Sequence, residues 1–127
     1  MKIIIFGMGS YYEKIEKVVR DRYEVVAFTD NKIIENGLLY KGIPVIMPKE
    51  IKYQNYDKIV IASSYFKEIF TQLREMDIKK EKISIIPPYQ QFFEECKMLD
   101  FDDQGGTTCS IHNISFYVSE FCNFADA

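Results

Sequence analysis

A short glycine turn near residue 7 has the residue types and spacing of a phosphate-binding loop. Gly7 and Gly9 are two residues apart and directly precede a predicted helix that begins at Ser10. The first turn of a helix presents unpaired backbone N–H groups and a partial positive charge, and glycine lets a phosphate approach the backbone closely. The spacing therefore suits binding of a phosphate group.

The turn matches only part of the dinucleotide-binding fingerprint. In G-x-G-x-x-G the third glycine allows close packing of helix and strand, and Tyr12 stands at that position here. Asp30 lies 23 residues after Gly7, at the end of the second predicted strand, where a carboxylate can accept hydrogen bonds from ribose hydroxyls. Two interpretations follow: a nucleotide site, or a tight turn in which Asp30 caps a loop and no ligand binds.

The candidate binding residues follow three predicted strands. Ligands of doubly wound sheets bind beyond the carboxyl ends of the central strands, where the chain order reverses. At this edge we expect Gly7, Met8, Gly9, Ser10, Tyr11, Tyr12, Asp30, Asn31, Ser63 and Ser64.

The common catalytic patterns are absent from the sequence. None of the nine tyrosines has a lysine four residues later, as the proton-transfer pair of short-chain sugar dehydrogenases requires. The single histidine, His112, has no nucleophile-elbow motif around it, which disfavours a hydrolase triad. We therefore predict no catalytic residues. The first hypothesis for function is a nucleotide-binding module. The second is a scaffold that binds no ligand and associates with other proteins through its aromatic C-terminal tail, and the third is a small NAD-dependent oxidoreductase.

A zinc site is also disfavoured. Cys96, Cys109 and Cys122 are spaced by 13 residues, and with His112 they would offer four ligands, but this spacing matches no common zinc module. An odd cysteine count without a secretory signal indicates reduced thiols, so we expect a cytoplasmic protein.

Apolar runs predict the strands that must position the turn. Runs rich in β-branched residues are typical of parallel strands buried on both faces. They occur at residues 3–6, 23–28, 56–62 and 83–86. A shorter strand at 43–46 contains Pro44, which suits an edge position.

The first helix is predicted from a capping box and one apolar face. Ser10 is expected to cap the helix and Glu13 to reach back to it. Tyr11, Ile15 and Val18 follow helical spacing and are expected to cover the sheet.

A second amphipathic helix is predicted over residues 66–76. Ser63 or Ser64 is expected to cap it, and Asp77 is expected to adopt the left-handed conformation after it. Pro48 is expected to open a single helical turn.

These elements predict an α/β, Rossmann-like, doubly wound parallel sheet of about five strands over residues 1–88, in the order 3-2-1-4-5. Residues 89–127 are predicted to be an irregular C-terminal extension. Within it, 90–99 could form a helix, 102–106 a loop and 111–121 a strand.

The net charge favours neither nucleic acid nor a membrane as a partner, and we expect neither. The formal net charge of −3 gives no basic field for nucleic acid or an anionic membrane surface. The extension instead holds a dense aromatic set, for which we expect core packing or, alternatively, a surface for a second copy or a partner enzyme. Its members are Phe92, Phe93, Phe101, Phe116, Tyr117, Phe121 and Phe124.

Residues 4–10, 25–31, 42–45 and 56–63 together resemble the N-terminal Rossmann-like module of nucleoside-diphosphate-sugar epimerases and dehydratases. Similar modules accompany bacterial sugar acyltransferases and glycosyltransferases of surface-polysaccharide biosynthesis. The resemblance implies a nucleotide-containing ligand, either NAD(P) or a UDP-sugar. It places Gly7, Gly9 and Ser10 at phosphate and Asp30 near ribose, in an accessory or truncated part of such a system.

Overall fold

The computed structural model describes residues 1–88, 98–106, 108–111 and 114–117, and for the last two ranges it describes the backbone alone. The strands are β1 Lys2–Phe6, β2 Glu24–Thr29, β3 Leu38–Tyr40, β4 Ile43–Ile46, β5 Lys58–Ile61, β6 Ile83–Ile85, β7 Leu99–Asp100, β8 Thr108–Ile111 and β9 Ile114–Tyr117. The helices are α1 Ser10–Arg22 and α2 Phe66–Glu75, with 3-10 helices at Pro48–Tyr53 and Lys80–Lys82.

Seven strands form one sheet in the order β3-β4-β2-β1-β5-β6-β7. The neighbours among β4, β2, β1, β5 and β6 pair in parallel. The predicted strands 1 to 5 correspond to β1, β2, β4, β5 and β6, so the observed order confirms the predicted order 3-2-1-4-5. The sheet is Rossmann-like and doubly wound. Ile3, Ile4 and Ile5 of the central strand are fully buried, because helices cover both faces of a sheet of this type.

A hairpin at one edge was not predicted. β3 pairs antiparallel with β4, with Leu39 opposite Pro44. The two strands are joined by Lys41 and Gly42, both with positive φ. The prediction that Pro44 lies on an edge strand is therefore wrong, because β3 folds back and covers that edge. The proline is tolerated because the register of β4 with β2 includes only Val45 and Ile46.

Part of the C-terminal extension belongs to the opposite edge of the same sheet. β7 pairs antiparallel with β6, so the predicted helix is wrong at Leu99, while residues 90–97 lie outside the described part. Phe101 is buried and stacks on Phe70 at a centroid distance of 4.8 Å. The Lys58 ammonium contacts the Asp100 carboxylate at 2.9 Å. Core packing is thus confirmed for Phe101.

The remaining predictions for the extension have mixed outcomes. Residues 102–106 form a turn, as predicted, and the Asp102 carboxylate accepts hydrogen bonds from the N–H groups of Gln104 and Gly106. Of the strand predicted at 111–121, residues 114–117 form β9, whereas Ile111 is the last residue of β8, so the prediction of one strand is wrong there; β8 and β9 pair antiparallel in a separate two-stranded sheet. Residues 118–121 and the side chains of the other predicted aromatic residues lie outside the description.

Both helices lie close to their predicted positions. In α1, Val19 is fully buried and Val18 only partly, so the predicted apolar face is wrong at its last residue. The burial follows the spacing Tyr12, Ile15, Val19, which matches the 3.6-residue period. Asp77 has a φ of 64°, which confirms the left-handed residue after α2. None of the helices in the described ranges has the length and apolar character needed to cross a membrane.

Candidate functional site

A cavity of about 630 Å³ opens at the carboxyl ends of β1, β2 and β5. Nine of the ten predicted residues line it: Gly7, Met8, Gly9, Ser10, Tyr11, Asp30, Asn31, Ser63 and Ser64. Its other lining residues are Phe6, Lys14, Lys32, Ala62, Tyr65, Glu68, Ile69 and Gln72. The structure thus brings these residues together, while their role in binding stays a prediction.

Gly7 is required by the packing of the central strands. Its φ of 127° is rarely adopted by residues with a side chain, and a Cβ atom there would lie 2.3 Å from the carbonyl oxygen of Ala62. Its N–H group donates to the carbonyl of Thr29 at 2.8 Å. The fold alone therefore accounts for this glycine.

Gly9 has a different environment. It is the exposed N-cap of α1 with a φ of −101°, and a Cβ atom there would meet nothing within 4 Å. The fold would accept a side chain at this position. Gly9 also lines the cavity.

The capping prediction for Ser10 is wrong. Ser10 is the first residue of α1, and the N-cap Gly9 has no side chain to cap the helix. The first hydrogen bond of the helix runs from the Glu13 N–H to the Gly9 carbonyl at 3.3 Å. The start of a helix generally carries N–H groups that no carbonyl of the helix accepts, and such a helix start suits an anion.

Tyr12 is not among the cavity residues. Its ring is fully buried and packs edge-to-face on Phe28 at a centroid distance of 5.1 Å and on Tyr40 at 6.5 Å. Burial raises the pKa of the Tyr12 hydroxyl, so the side chain stays neutral. The third glycine of the fingerprint is thus replaced by an aromatic residue that fills the space between α1 and β2.

Tyr11 reaches across the end of the sheet. Its hydroxyl donates to the carbonyl of Ile86, just after β6, at 2.7 Å. The side chain is 8% exposed and lines the cavity. This hydrogen bond therefore ties α1 to the segment that follows β6.

The Asp30 carboxylate organises the loop beside the glycine turn. Oδ2 accepts from the Met8 N–H at 3.2 Å, and Oδ1 accepts from the Lys32 N–H at 3.0 Å. Each oxygen has a second lone pair that a hydroxyl group can use. The carboxylate therefore holds the backbone of the turn at Met8 and places a negative charge beside it.

The third wall is formed by the segment after β5 and by α2. Ser63 Oγ accepts from the Tyr65 N–H at 3.1 Å, and Tyr65, not Ser63 or Ser64, is the N-cap of α2. The predicted serine cap is therefore wrong: the serine hydroxyl stabilises the turn before the helix. Gln72 of α2 exchanges two hydrogen bonds with Asn31, at 3.0 and 2.8 Å.

Charges of both signs line the cavity. Lys14 and Lys32 supply positive charge, and Asp30 and Glu68 negative charge. The two lysines were not predicted as cavity residues. Lys14 could have been, because it lies four residues after Ser10 and therefore on the same face of α1.

The sequence did not indicate that Gln72 lines the cavity, because its position there depends on how α2 packs on the sheet. Among the residues with described side chains, no group of acidic, cysteine or histidine residues could hold a metal ion. His112, Cys96 and Cys122 lie outside the description.

Comparison with known proteins gives a family and a fold. The family model described as C2185-like, N-terminal, matches residues 1–84. No curated protein matches the chain. Among solved structures, the UDP-D-quinovosamine 4-dehydrogenase from Vibrio fischeri is similar, with a TM-score of 0.57 and 18% sequence identity. The similarity covers 82% of this chain and 95% of that one, and at this identity it supports the fold alone.

Proposed function

The chain belongs to the C2185-like, N-terminal family, and from that premise we propose that it binds a nucleotide-containing ligand in the cavity above β1. The phosphate lies at Gly9 and the first turn of α1, and the ribose hydroxyls donate to Asp30. The chain contributes binding without a complete catalytic site of its own.

The observation that carries this proposal is the contrast between the two glycines of the turn. Gly7 is explained by its positive φ and by the nearby Ala62 carbonyl. Gly9 has neither constraint and borders the cavity. Glycine is an acceptable N-cap, but serine, threonine, aspartate or asparagine would serve the helix at least as well. Glycine is the residue that allows a phosphate closest to a helix N-terminus, so ligand binding explains the choice of glycine here.

The electrostatic surroundings are consistent with a phosphate ester. The helix N-terminus contributes a partial positive charge, and the lining residues Lys14 and Lys32 add two formal positive charges. The acidic lining residues suit the hydroxyl groups of a sugar, which donate hydrogen bonds to carboxylates.

We infer NAD(P) or a UDP-sugar as the ligand class, a cytoplasmic location and an accessory role in bacterial surface-polysaccharide biosynthesis. The inference is supported by the resemblance of the strand and turn segments. It is also supported by the name of the Vibrio fischeri neighbour, which specifies a UDP-sugar dehydrogenase.

The experiment is a thermal-shift screen of the purified chain against NAD, NADP, UDP-sugars, coenzyme A and S-adenosylmethionine. A ligand that binds only the folded state raises Tm, by on the order of 10 °C when its concentration is 100 times Kd. We expect one class to do so.

Gly9→Asp should abolish that shift, because it places bulk and negative charge where the phosphate lies, while the variant still folds. Asn55→Asp is the matched control. It adds the same charge at an exposed residue that precedes β5, at the amino-terminal ends of the parallel strands and away from the cavity at their carboxyl ends. No shift at millimolar ligand, or an equal shift in Gly9→Asp, would refute the proposal and favour a scaffold that binds no ligand.

A further inference from the structure

Two side-chain amides meet across the cavity. Asn31 Nδ2 donates to Gln72 Oε1 at 3.0 Å, and Gln72 Nε2 donates to Asn31 Oδ1 at 2.8 Å. Asn31 follows β2, whereas Gln72 lies in α2, 41 residues later, and both line the cavity. The pair therefore links two walls of the site.

Each amide presents a hydrogen-bond donor beside an acceptor. In the reciprocal arrangement the donor of one amide faces the acceptor of the other. The edges of nucleobases carry the same pattern: adenine has an amino group beside a ring nitrogen acceptor, and uracil has an imino N–H beside a carbonyl. Asparagine and glutamine can accordingly form two hydrogen bonds with one base edge.

The pair adjoins the residue assigned to the ribose, because Asn31 directly follows Asp30 in the chain and both line the cavity. With phosphate at Gly9 and ribose hydroxyls at Asp30, the next residue along this wall is Asn31. The Asp30 carboxylate is itself held to the glycine turn by the Met8 N–H. The order phosphate, sugar, base thus runs from α1 toward the facing side chains of Asn31 and Gln72.

Exchange of partners at this position is compatible with the folded core. Asn31 is exposed and Gln72 half-buried. Solvent-accessible hydrogen bonds between neutral groups contribute little net stability, because water replaces them when they open. A base edge that displaces one amide from the other would conserve the number of hydrogen bonds.

We propose that Asn31 and Gln72 are the specificity-determining residues for the nucleobase, and that they exchange their mutual hydrogen bonds for bonds to the base edge. This inference rests on the proposed nucleotide binding. The shared chemistry is a base with adjacent donor and acceptor, and adenine and uracil are the two sources to be distinguished.

The test is isothermal titration calorimetry of the full chain with ADP, UDP and pyrophosphate. Asn31→Leu and Gln72→Met keep side-chain size and remove the amides. Two hydrogen bonds to a base correspond to a loss of roughly 5- to 150-fold in affinity. We expect this loss for ADP or UDP, with pyrophosphate binding unchanged, and the nucleotide that loses affinity identifies the base.

Asn55→Leu is the matched control, because Asn55 is exposed and is not among the cavity residues; its nucleotide affinity should equal that of the native chain. If an apolar variant fails to fold, Gln72→Ala removes the amide without adding a charge, keeps a good helix former in α2 and should show the same loss.

Three results would overturn the inference, and they differ in meaning. Unchanged nucleotide affinity in both variants would show that the amides do not contact the base. Tighter binding would show that the pair obstructs the cavity. Equal affinity of the native chain for ADP, UDP and pyrophosphate would remove base recognition but leave the phosphate site. Failure of all three probes to bind would instead refute the proposed function.

Discussion

Replacement of Gly7 by alanine should separate the structural glycine of the turn from the one assigned to the ligand. The new Cβ would lie 2.3 Å from the Ala62 carbonyl oxygen, at a residue whose φ is 127°. Backbone strain of this kind costs about 1–3 kcal/mol, and forcing a methyl group into a packed site costs about 1–3 kcal/mol more.

The expected loss is therefore about 2–6 kcal/mol of unfolding free energy. A chain of this length has a total of roughly 6–19 kcal/mol, so the loss is a large part of it. β1 would have to shift away from β5, because the clashing atom belongs to the backbone and cannot rotate aside. Gly7→Ala is thus expected to fold marginally.

Urea denaturation followed by circular dichroism measures the effect, and the midpoint should fall by about 1–3 M. Gly9→Ala is the matched control. Alanine is a poorer N-cap than glycine, but it also lowers the entropy of the unfolded chain, so stability should change by less than about 1 kcal/mol. If Gly7→Ala were no less stable than Gly9→Ala, the assignment of the two glycines would be wrong.

Two further substitutions test a buried hydrogen bond and a buried ring, and a third tests an ion pair. Tyr11→Phe leaves the buried carbonyl of Ile86 without its donor and should cost about 1–2 kcal/mol in urea denaturation; an unchanged midpoint would contradict this. Phe101→Ala should cost about 3–5 kcal/mol by the same assay, because the ring is buried, and a loss under about 1 kcal/mol would show that the extension does not pack as described.

Lys58 lowers the pKa of the Asp100 carboxyl, so this ion pair stabilises the fold above the ordinary value of 3.8 and the contribution disappears as pH falls through the lowered pKa. Asp100→Asn should accordingly be less stable than the native chain at pH 7, by under about 1 kcal/mol because the carboxylate is exposed. The two should converge in acid, and a difference that persists at low pH would contradict the assignment.

The sequence predicted the fold where local pattern and tertiary structure agree. The apolar runs of β1 and β5 identified buried parallel strands, and Asp77 identified the end of α2. The β3–β4 hairpin was missed because Leu38–Tyr40 is a short run and its turn contains Lys41, a residue uncommon at positive φ. β7 was missed because its two residues gain their strand conformation from pairing with β6.

The sequence predicted those residues of the site that directly follow a strand in the chain. The glycine turn and Asp30 follow strands in sequence, so their convergence could be inferred from topology. Tyr12 was misplaced because only packing shows which side of α1 faces the sheet. The partner of Asn31 could not be inferred, since Gln72 is 41 residues away and its position depends on how α2 lies on the sheet.

The edge strand supplied by the extension has a consequence for solubility. Without Leu99–Phe101, β6 would present a row of unpaired N–H and C=O groups beside an uncovered Phe70, a surface on which strands of other chains can add. A fragment that ends after β6 and lacks these residues should therefore aggregate, and the family match, which ends at residue 84 inside β6, does not include them. During synthesis the same edge is open until these residues leave the ribosome, and in that interval we expect nascent chains to depend on chaperones.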